Sequence, residues 1–408
     1  MKRLAQCLLA ASVLTGTAAL AQGELNYTAA DIIKYPVGKY AGEVAGVATN
    51  AAGHIFVYQR SGNPYASLGG SRIFAHGQDQ LLEFDATGKY VREIGAGIYS
   101  SLVANSVRVD AKNNVWTVDR SSGMVVKFSP DGSQQLMLLG RKPENITITV
   151  VGGAGGGRGG RGAAAAGGEP GEPGAAPAGG RAAAAAPAAG GEAGAAPAAG
   201  GRAAAAGGRA AGGGGRGRGG APGAGSNSDG FSGSSDVAWD ASGNIFVADG
   251  VGANNRVAKF TPDGVFMATF GKTGSDDTSL NSVRSIAVDA GGNVYVADTG
   301  NKRIQVLSND LTRVVRSITG VGDNPAAVCV SGGAHPYLYV SNSNPMNDLE
   351  HGGEIYRLEL SGQVVGRFGH AGKAPREFAS VNQIDCRQAN TLYTAEAGAY
   401  RVQKVTLR

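Results

Sequence analysis

A segment recurs along this chain at intervals of tens of residues, and that recurrence constrains the fold more than any local propensity does. Gly292-Asn293-Val294-Tyr295-Val296-Ala297-Asp298 runs on through Thr299-Gly300-Asn301-Lys302 to Arg303-Ile304-Gln305-Val306. Gly243-Asn244-Ile245-Phe246-Val247-Ala248-Asp249 repeats it and continues to Asn255-Arg256-Val257-Ala258-Lys259-Phe260. Asn113-Asn114-Val115-Trp116-Thr117-Val118-Asp119 leads in the same way to Val125-Val126-Lys127-Phe128. Gly53-His54-Ile55-Phe56-Val57-Tyr58 and Asn390-Thr391-Leu392-Tyr393-Thr394-Ala395-Glu396 are weaker copies.

Each copy reads as a strand, a tight turn built on Gly, Asn or Asp, a second strand, a polar loop, and two further strands. Alternating apolar residues with β-branched and aromatic content argue for antiparallel sheet. A four-stranded unit has two open edges and cannot bury both faces alone. Radial packing of such sheets around an axis solves both problems, which predicts an all-β fold, a β-propeller. Six units are present, with inner strands containing Val47, Val107, Val237, Ile286, Val328 and Ile384. The last unit, 384–407, has room for three strands only. The segment 27–37 precedes the first unit and is expected to supply the missing outer strand and close the ring.

The ends and the middle of the chain differ from the repeats. Lys2 and Arg3, an apolar run over 4–20 and Ala19-Leu20-Ala21 before Gln22 make 1–21 a secretory signal peptide. Cleavage near Ala21 would leave a secreted or periplasmic protein, and no later stretch is apolar for long enough to span a bilayer. Residues 152–225 are almost entirely Gly, Ala, Pro and Arg, and read as a disordered insertion that cannot bury enough surface to fold. It divides the propeller into 22–151, with the first two units and the closing strand, and 226–408, with the other four. Seven arginines and three glutamates give the insertion +4, and Lys2 and Arg3 add +2. Of the formal +5, the folded units therefore carry about −1, so the basic balance does not describe their surface. The Gly-Gly-Arg runs resemble RNA-binding segments, yet an exported chain is expected to have no nucleic-acid partner. Cys329 and Cys386 lie on the inner strands of the last two units, one register position apart, and can be a disulfide or two buried thiols.

The turns Pro130-Asp131-Gly132, Asp240-Ala241-Ser242-Gly243 and Pro262-Asp263-Gly264 fall on one face of the units. All the long loops fall on the other: 60–79, 95–104, the insertion, 271–282, 342–353 and 369–380. Function concentrates on loops held by a rigid scaffold, so the long-loop face around the axis is the expected site. Arg60, Asn105, Arg120, Arg284, Asn382 and Glu396 come at strand ends on that face. Guanidinium and carboxamide groups converging there suit a small anionic or carbonyl-rich ligand. The alternative is internal pairing, with Arg284 bridging to Glu396 and Arg303 to Asp298. His54 reads as a surface turn residue, and His76 and His351 as solvated loop residues on the long-loop face.

The repeats resemble NHL repeats over nearly all the chain outside the signal and the insertion. Arg108-Val109-Asp110 followed by Asn114-Val115-Trp116-Thr117-Val118-Asp119, Val247-Ala248-Asp249-Gly250 with Arg256-Val257-Ala258-Lys259-Phe260, and Ala395-Glu396 with Arg401-Val402-Gln403-Lys404 carry the pattern further. They resemble bacterial relatives of peptidyl-α-hydroxyglycine α-amidating lyase. That resemblance implies a six-bladed propeller whose zinc is held near the axis by three His residues at the start of alternate inner strands. The matching positions here are Asn105, Arg284 and Asn382. Val251 stands where the resemblance implies a tyrosine and Gln383 where it implies an aspartate, whereas its arginine is kept as Arg60. A carboxamide is a poor zinc ligand and a guanidinium repels the ion, so no zinc is expected.

Three functions compete. One is a non-enzymatic binding or scaffold module whose long-loop face takes a protein, peptide, glycan or small polar or anionic ligand. The second is an altered lyase-like enzyme. The third is a lactonase-like hydrolase, in which Asn105, Asn382 and Glu43 would offer oxygen ligands to calcium, with Arg284 opposing it. No nucleophilic triad, phosphate loop or dinucleotide fingerprint is present. The first reading is the expected one, with no catalytic residue, no metal and no cofactor.

Overall fold

A computed structural model describes residues 23–61, 66–68, 72–74, 79–98, 101–140 and 230–408. The expected signal peptide, the insertion 152–225 and His76 lie outside the described residues.

Six four-stranded antiparallel sheets are present among the described residues. Blade 1 comprises Glu43–Thr49, Ile55–Arg60, Gln80–Phe84 and Tyr90–Ile94, and blade 2 Ala104–Val109, Val115–Asp119, Met124–Phe128 and Gln135–Leu139. Blade 3 comprises Ser234–Trp239, Ile245–Asp249, Arg256–Phe260 and Phe266–Phe270. Blade 4 holds Val283–Val288, Val294–Asp298, Arg303–Leu307 and Val314–Ile318. Blade 5 holds Pro325–Val330, Tyr337–Asn342, Ile355–Glu359 and Val364–Phe368. Blade 6 is Val381–Gln388, Thr391–Glu396 and Arg401–Leu407, and its outer strand is Tyr27–Asp31.

The ring closes as expected, with Tyr27 opposite Leu407 and Asp31 opposite Gln403. The closing strand is shorter than the 27–37 read from the sequence. It ends where the Asp31 carboxylate accepts the Ile33 N–H, and Pro36 has no N–H to extend a ladder. Ile32, Ile33 and Tyr35 pack instead against the core shared by blades 6 and 1. The 60–79 loop holds a small hairpin, Ala66–Leu68 with Arg72–Phe74, that its sequence did not signal.

The tight turns follow from one side chain each. Asp289 accepts the Asn293 N–H through Oδ1 and the Asn293 carboxamide through Oδ2, both at 2.8 Å, while Gly292 takes φ +83°. Asp240 and Asn244 repeat the arrangement in blade 3, and Asp110 and Asn114 in blade 2, where Asn113 takes the positive φ. At the opposite end of the blades, the acid that closes the second strand holds the third strand and the preceding loop. Asp298 is fully buried and accepts Asn281 N–H at 2.6 Å and Arg303 Nε at 2.7 Å, and Arg303 also donates to the carbonyls of Asp276 and Ser279. Arg303 thus pairs with Asp298 as its sequence predicts.

Val47, Val107, Val237, Ile286, Val328 and Ile384 are all buried on the inner strands. Apolar clusters fill the space between adjacent blades, so each sheet buries both faces against its neighbours. Cys329 and Cys386 form a disulfide with Cα atoms 6.1 Å apart, joining the inner strands of blades 5 and 6. Ile384 and Cys386 share the face of blade 6 that packs on blade 5, and Cys329, one position after Val328, faces blade 6, so the one-position offset sets the two sulfurs against each other.

Candidate functional site

All six inner strands carry a bulge close to the long-loop end. The residues that fall in these bulges include Ala45, Asn105, Ser235, Arg284, Ala326 and Asn382. A bulge re-aims side chains, and here it places one set of residues around the axis. Most of that set is turned to structural use. The Asn382 carboxamide donates to the carbonyls of Ala45 at 2.6 Å and Asn105 at 2.7 Å, bridging blades 6, 1 and 2. Asn105 donates to Ser235 O, and the Ser235 hydroxyl donates to Val283 O at 2.9 Å.

Beneath this ring lies a polar plug. The Gln383 carboxamide oxygen accepts Val47 N–H and Val107 N–H, each at 3.1 Å, and its amide donates to Val107 O at 2.6 Å. Gly46 is required beside it, since a Cβ there would lie 2.6 Å from Val107 N and 2.7 Å from the Gln383 oxygen. Arg108 then makes a two-pronged ion pair with Asp236 and reaches the carbonyls of Ile384 and Val328. Asp236 is itself held by the Ser285 hydroxyl and the Ile286 N–H. Arg108 and Asp236 sit 128 positions apart, and nothing in the repeat pattern signals their pairing.

Above the ring, on the long-loop face, a cavity of about 690 Å³ opens. Arg60, Arg120, Arg284 and Asn382 line it, as expected. Arg60 is anchored, with Nε donating to Ala104 O at 2.8 Å and Nη1 lying 3.1 Å from Glu43 Oε2. The Arg284 guanidinium has no hydrogen-bond or ion-pair partner among the described residues, and burial, then the charges of Arg120 and Arg60, lower its affinity for its proton. Much of its surface nevertheless remains open to solvent, because it projects into the cavity rather than into packed protein.

Two expected site residues stand elsewhere. Asn105 is 5 % exposed, does not line the cavity and serves the ring. Glu396 is fully buried, accepts Ala379 N–H, Gln403 Nε2 and Arg401, and is the blade-6 counterpart of Asp298. Its place at a second-strand end fits the repeat acid, and this corrects both its assignment to the mouth and the bridge to Arg284. The sequence also passes over several groups in the wall, among them Asn324, Asn342, Asn344 and Asp348. His351 lines the cavity too, its Nδ1 3.2 Å from Asp348 Oδ2, and is largely exposed. His54 is only half-exposed, because its Nδ1 meets the buried Glu83 at 2.7 Å.

Next to Arg60, the Asp79 carboxylate accepts the Ala104 N–H. Burial pushes its carboxyl up to about 6, against the opposing pull of that N–H. Among the described residues, no group of three His, Cys, Asp or Glu side chains is placed to hold a metal, and no helix is long and apolar enough to cross a membrane.

A second cavity, of about 840 Å³, opens at the tight-turn end of the axis, below the plug. The fold therefore defines a six-bladed β-propeller with a cavity at each end of a blocked axis. Residues 280–307 match the NHL repeat family model. A human protein, NHL repeat-containing protein 3, is 27 % identical over 175 residues, which span 40 % of this chain and 46 % of that protein. The chain thus aligns with less than half the length of that relative. Among solved structures, a gluconolactonase from Xanthomonas campestris superimposes with a TM-score of 0.51 at 13 % identity, covering 96 % of this chain and 94 % of that one. A protein of unknown function from Bacteroides thetaiotaomicron gives 0.54 at 10 % identity, with 94 % and 77 % covered. At such identities these likenesses establish the propeller fold.

Proposed function

We propose that this chain is an exported binding module whose long-loop face captures an anionic group, carried by a protein, peptide, glycan or small ligand, without metal-dependent catalysis. The observation that carries this reading is Arg284. A guanidinium held among like charges with no acceptor among the described residues gains most from an incoming carboxylate or phosphate, which supplies charge-assisted hydrogen bonds. Arg60 and Arg120 add positive potential, and the carboxamides around them can orient a ligand's hydroxyl or carbonyl groups.

The donor chemistry speaks against the metal that the lyase resemblance implies. Where the resemblance implies three imidazoles stand two carboxamides, whose nitrogens donate to backbone carbonyls, and a cation. For calcium, Glu43 is already engaged with Arg60. Like charge at Arg284 raises the energy of a divalent ion beside it.

Calorimetric titration of the full chain with citrate tests the reading. Arg284→Gln is expected to weaken binding about tenfold, equivalent to about 1.4 kcal/mol, with the melting temperature nearly unchanged. Unaltered citrate affinity in that variant would remove the basis of the proposal, and stoichiometric zinc or calcium in chelator-washed protein would favour an enzyme instead.

A further inference from the structure

We infer that the tight-turn end of the axis is a second ligand site, one that takes an organic anion with an apolar, ring-sized body. Its cavity of about 840 Å³ falls in the range of roughly 300–1,000 Å³ usual for small-molecule sites. Trp239, Val288, Val330 and Leu360 give it apolar walls. The indole of Trp239 already stacks obliquely on Trp116, with ring centroids 5.2 Å apart, so it is held rigidly beside the space.

The formal charge in the wall balances, with two carboxylates beside Arg316 and Arg387, but the hydrogen-bonding capacity does not. Both carboxylates have their oxygens occupied by donors of the fold. Asp289 is bound to Asn293 and to the Tyr295 hydroxyl at 3.1 Å. Asp385 accepts the Thr49 N–H and hydroxyl through one oxygen and the Arg387 N–H through the other. The floor arginine, Arg108, is neutralised by Asp236. Arg316 and Arg387 are different. Each makes one side-chain hydrogen bond, to Leu360 O and Val109 O respectively, and neither has a carboxylate partner among the described residues.

Both arginines are only partly buried, so their remaining N–H groups are open to a ligand. A carbonyl takes one N–H of a guanidinium and leaves its other donors open to a ligand. An amphipathic carboxylate satisfies both features at once: its anion meets Arg316 and Arg387, and its ring lies against Trp239 and the aliphatic wall. This site is separated from the arginine mouth by the Arg108–Asp236 and Gln383 plug, so the two stand or fall independently.

The chain has two tryptophans, so Trp116→Phe leaves Trp239 as the sole indole, read by excitation at wavelengths that tyrosine does not absorb. Phenylacetate titrated into that variant is expected to change its fluorescence saturably, with calorimetry on the unmodified chain giving the same affinity. The neutral analogue 2-phenylethanol is expected to bind about tenfold more weakly. Arg316→Gln with Arg387→Gln should erase that preference, and saturating citrate at the opposite mouth should leave phenylacetate binding unchanged. Equal affinity for acid and alcohol, or no saturable binding of either, would overturn the inference even if the double variant failed to fold. Competition by citrate would overturn it as well.

Discussion

At the scale of single residues, the chain separates charges that build the propeller from charges left over. Asp119, Asp249, Asp298 and Glu396 close second strands, are buried and bind backbone N–H groups or a neighbouring arginine. Arg284 has no such partner among the described residues. Asp79 lies between the two groups, and its effect on stability depends on pH. Its folded-state pKa of about 6 exceeds the 3.8 of an unperturbed aspartate. Between these values the folded chain holds a proton that the unfolded chain has released, so this contribution is complete below about pH 4 and is lost as pH rises through 6. Asp79→Asn is expected to flatten that decline and to raise unfolding free energy at pH 7.5 by on the order of 2 kcal/mol. Denaturant titrations of both proteins at pH 4.5 and 7.5 check it; a parent chain more stable at 7.5 than at 4.5, with the variant showing the same difference, would exclude Asp79 as the cause.

At the scale of elements, blades 2, 3 and 4 are pinned at both ends by acids that the repeat places at fixed offsets. The Asp–Asn pair shapes the first turn, and the acid ending the second strand ties the third strand to the loop from the previous blade. Asp298→Ala would leave the buried Arg303 with only the exposed Asp277 carboxylate, 3.6 Å away, as counter-charge, for which up to about 3–5 kcal/mol of destabilisation is expected. In a domain of this size that lowers the melting temperature by roughly 6–15 °C. Arg303→Ala in the same background should recover part of the loss, because it removes the stranded cation. A double variant as unstable as the sum of the two singles would mean that the two side chains act separately.

At the scale of the whole molecule, the ring is held shut by two devices of different kinds. Tyr27–Asp31 pairs with the last strand, so sequence-distant ends complete one sheet and blade 6 reaches the same four strands as the other blades. The Cys329–Cys386 disulfide joins adjacent inner strands 57 residues apart, and a loop of that length limits the unfolded chain by up to about 4 kcal/mol. Replacing both cysteines by alanine should therefore lower unfolding free energy by as much, with the blade count unchanged. Denaturant unfolding gives the number, and an unaltered midpoint would show that the neighbouring blade packing alone holds this seam.

The repeat determined by itself that this chain is a six-bladed propeller, where its turns and long loops lie, and that arginines gather at one mouth. Those features rest on alternation, turn residues and spacing within about forty residues, all of which are local. What only the tertiary structure decided lies on the axis and across blade boundaries. Gln383 meets Val47 across 336 positions and Arg108 meets Asp236 across 128. The same convergence buries Glu396 in its own blade, leaves Arg284 without a hydrogen-bond partner among the described residues, sets Cys386 against Cys329, and opens a cavity at the tight-turn face. Period-2 patterning states which side of a sheet a residue occupies, but not which of six inner strands will face it across the axis. That depends on how the blades are rotated against one another and where each bulge falls, and both are settled by packing.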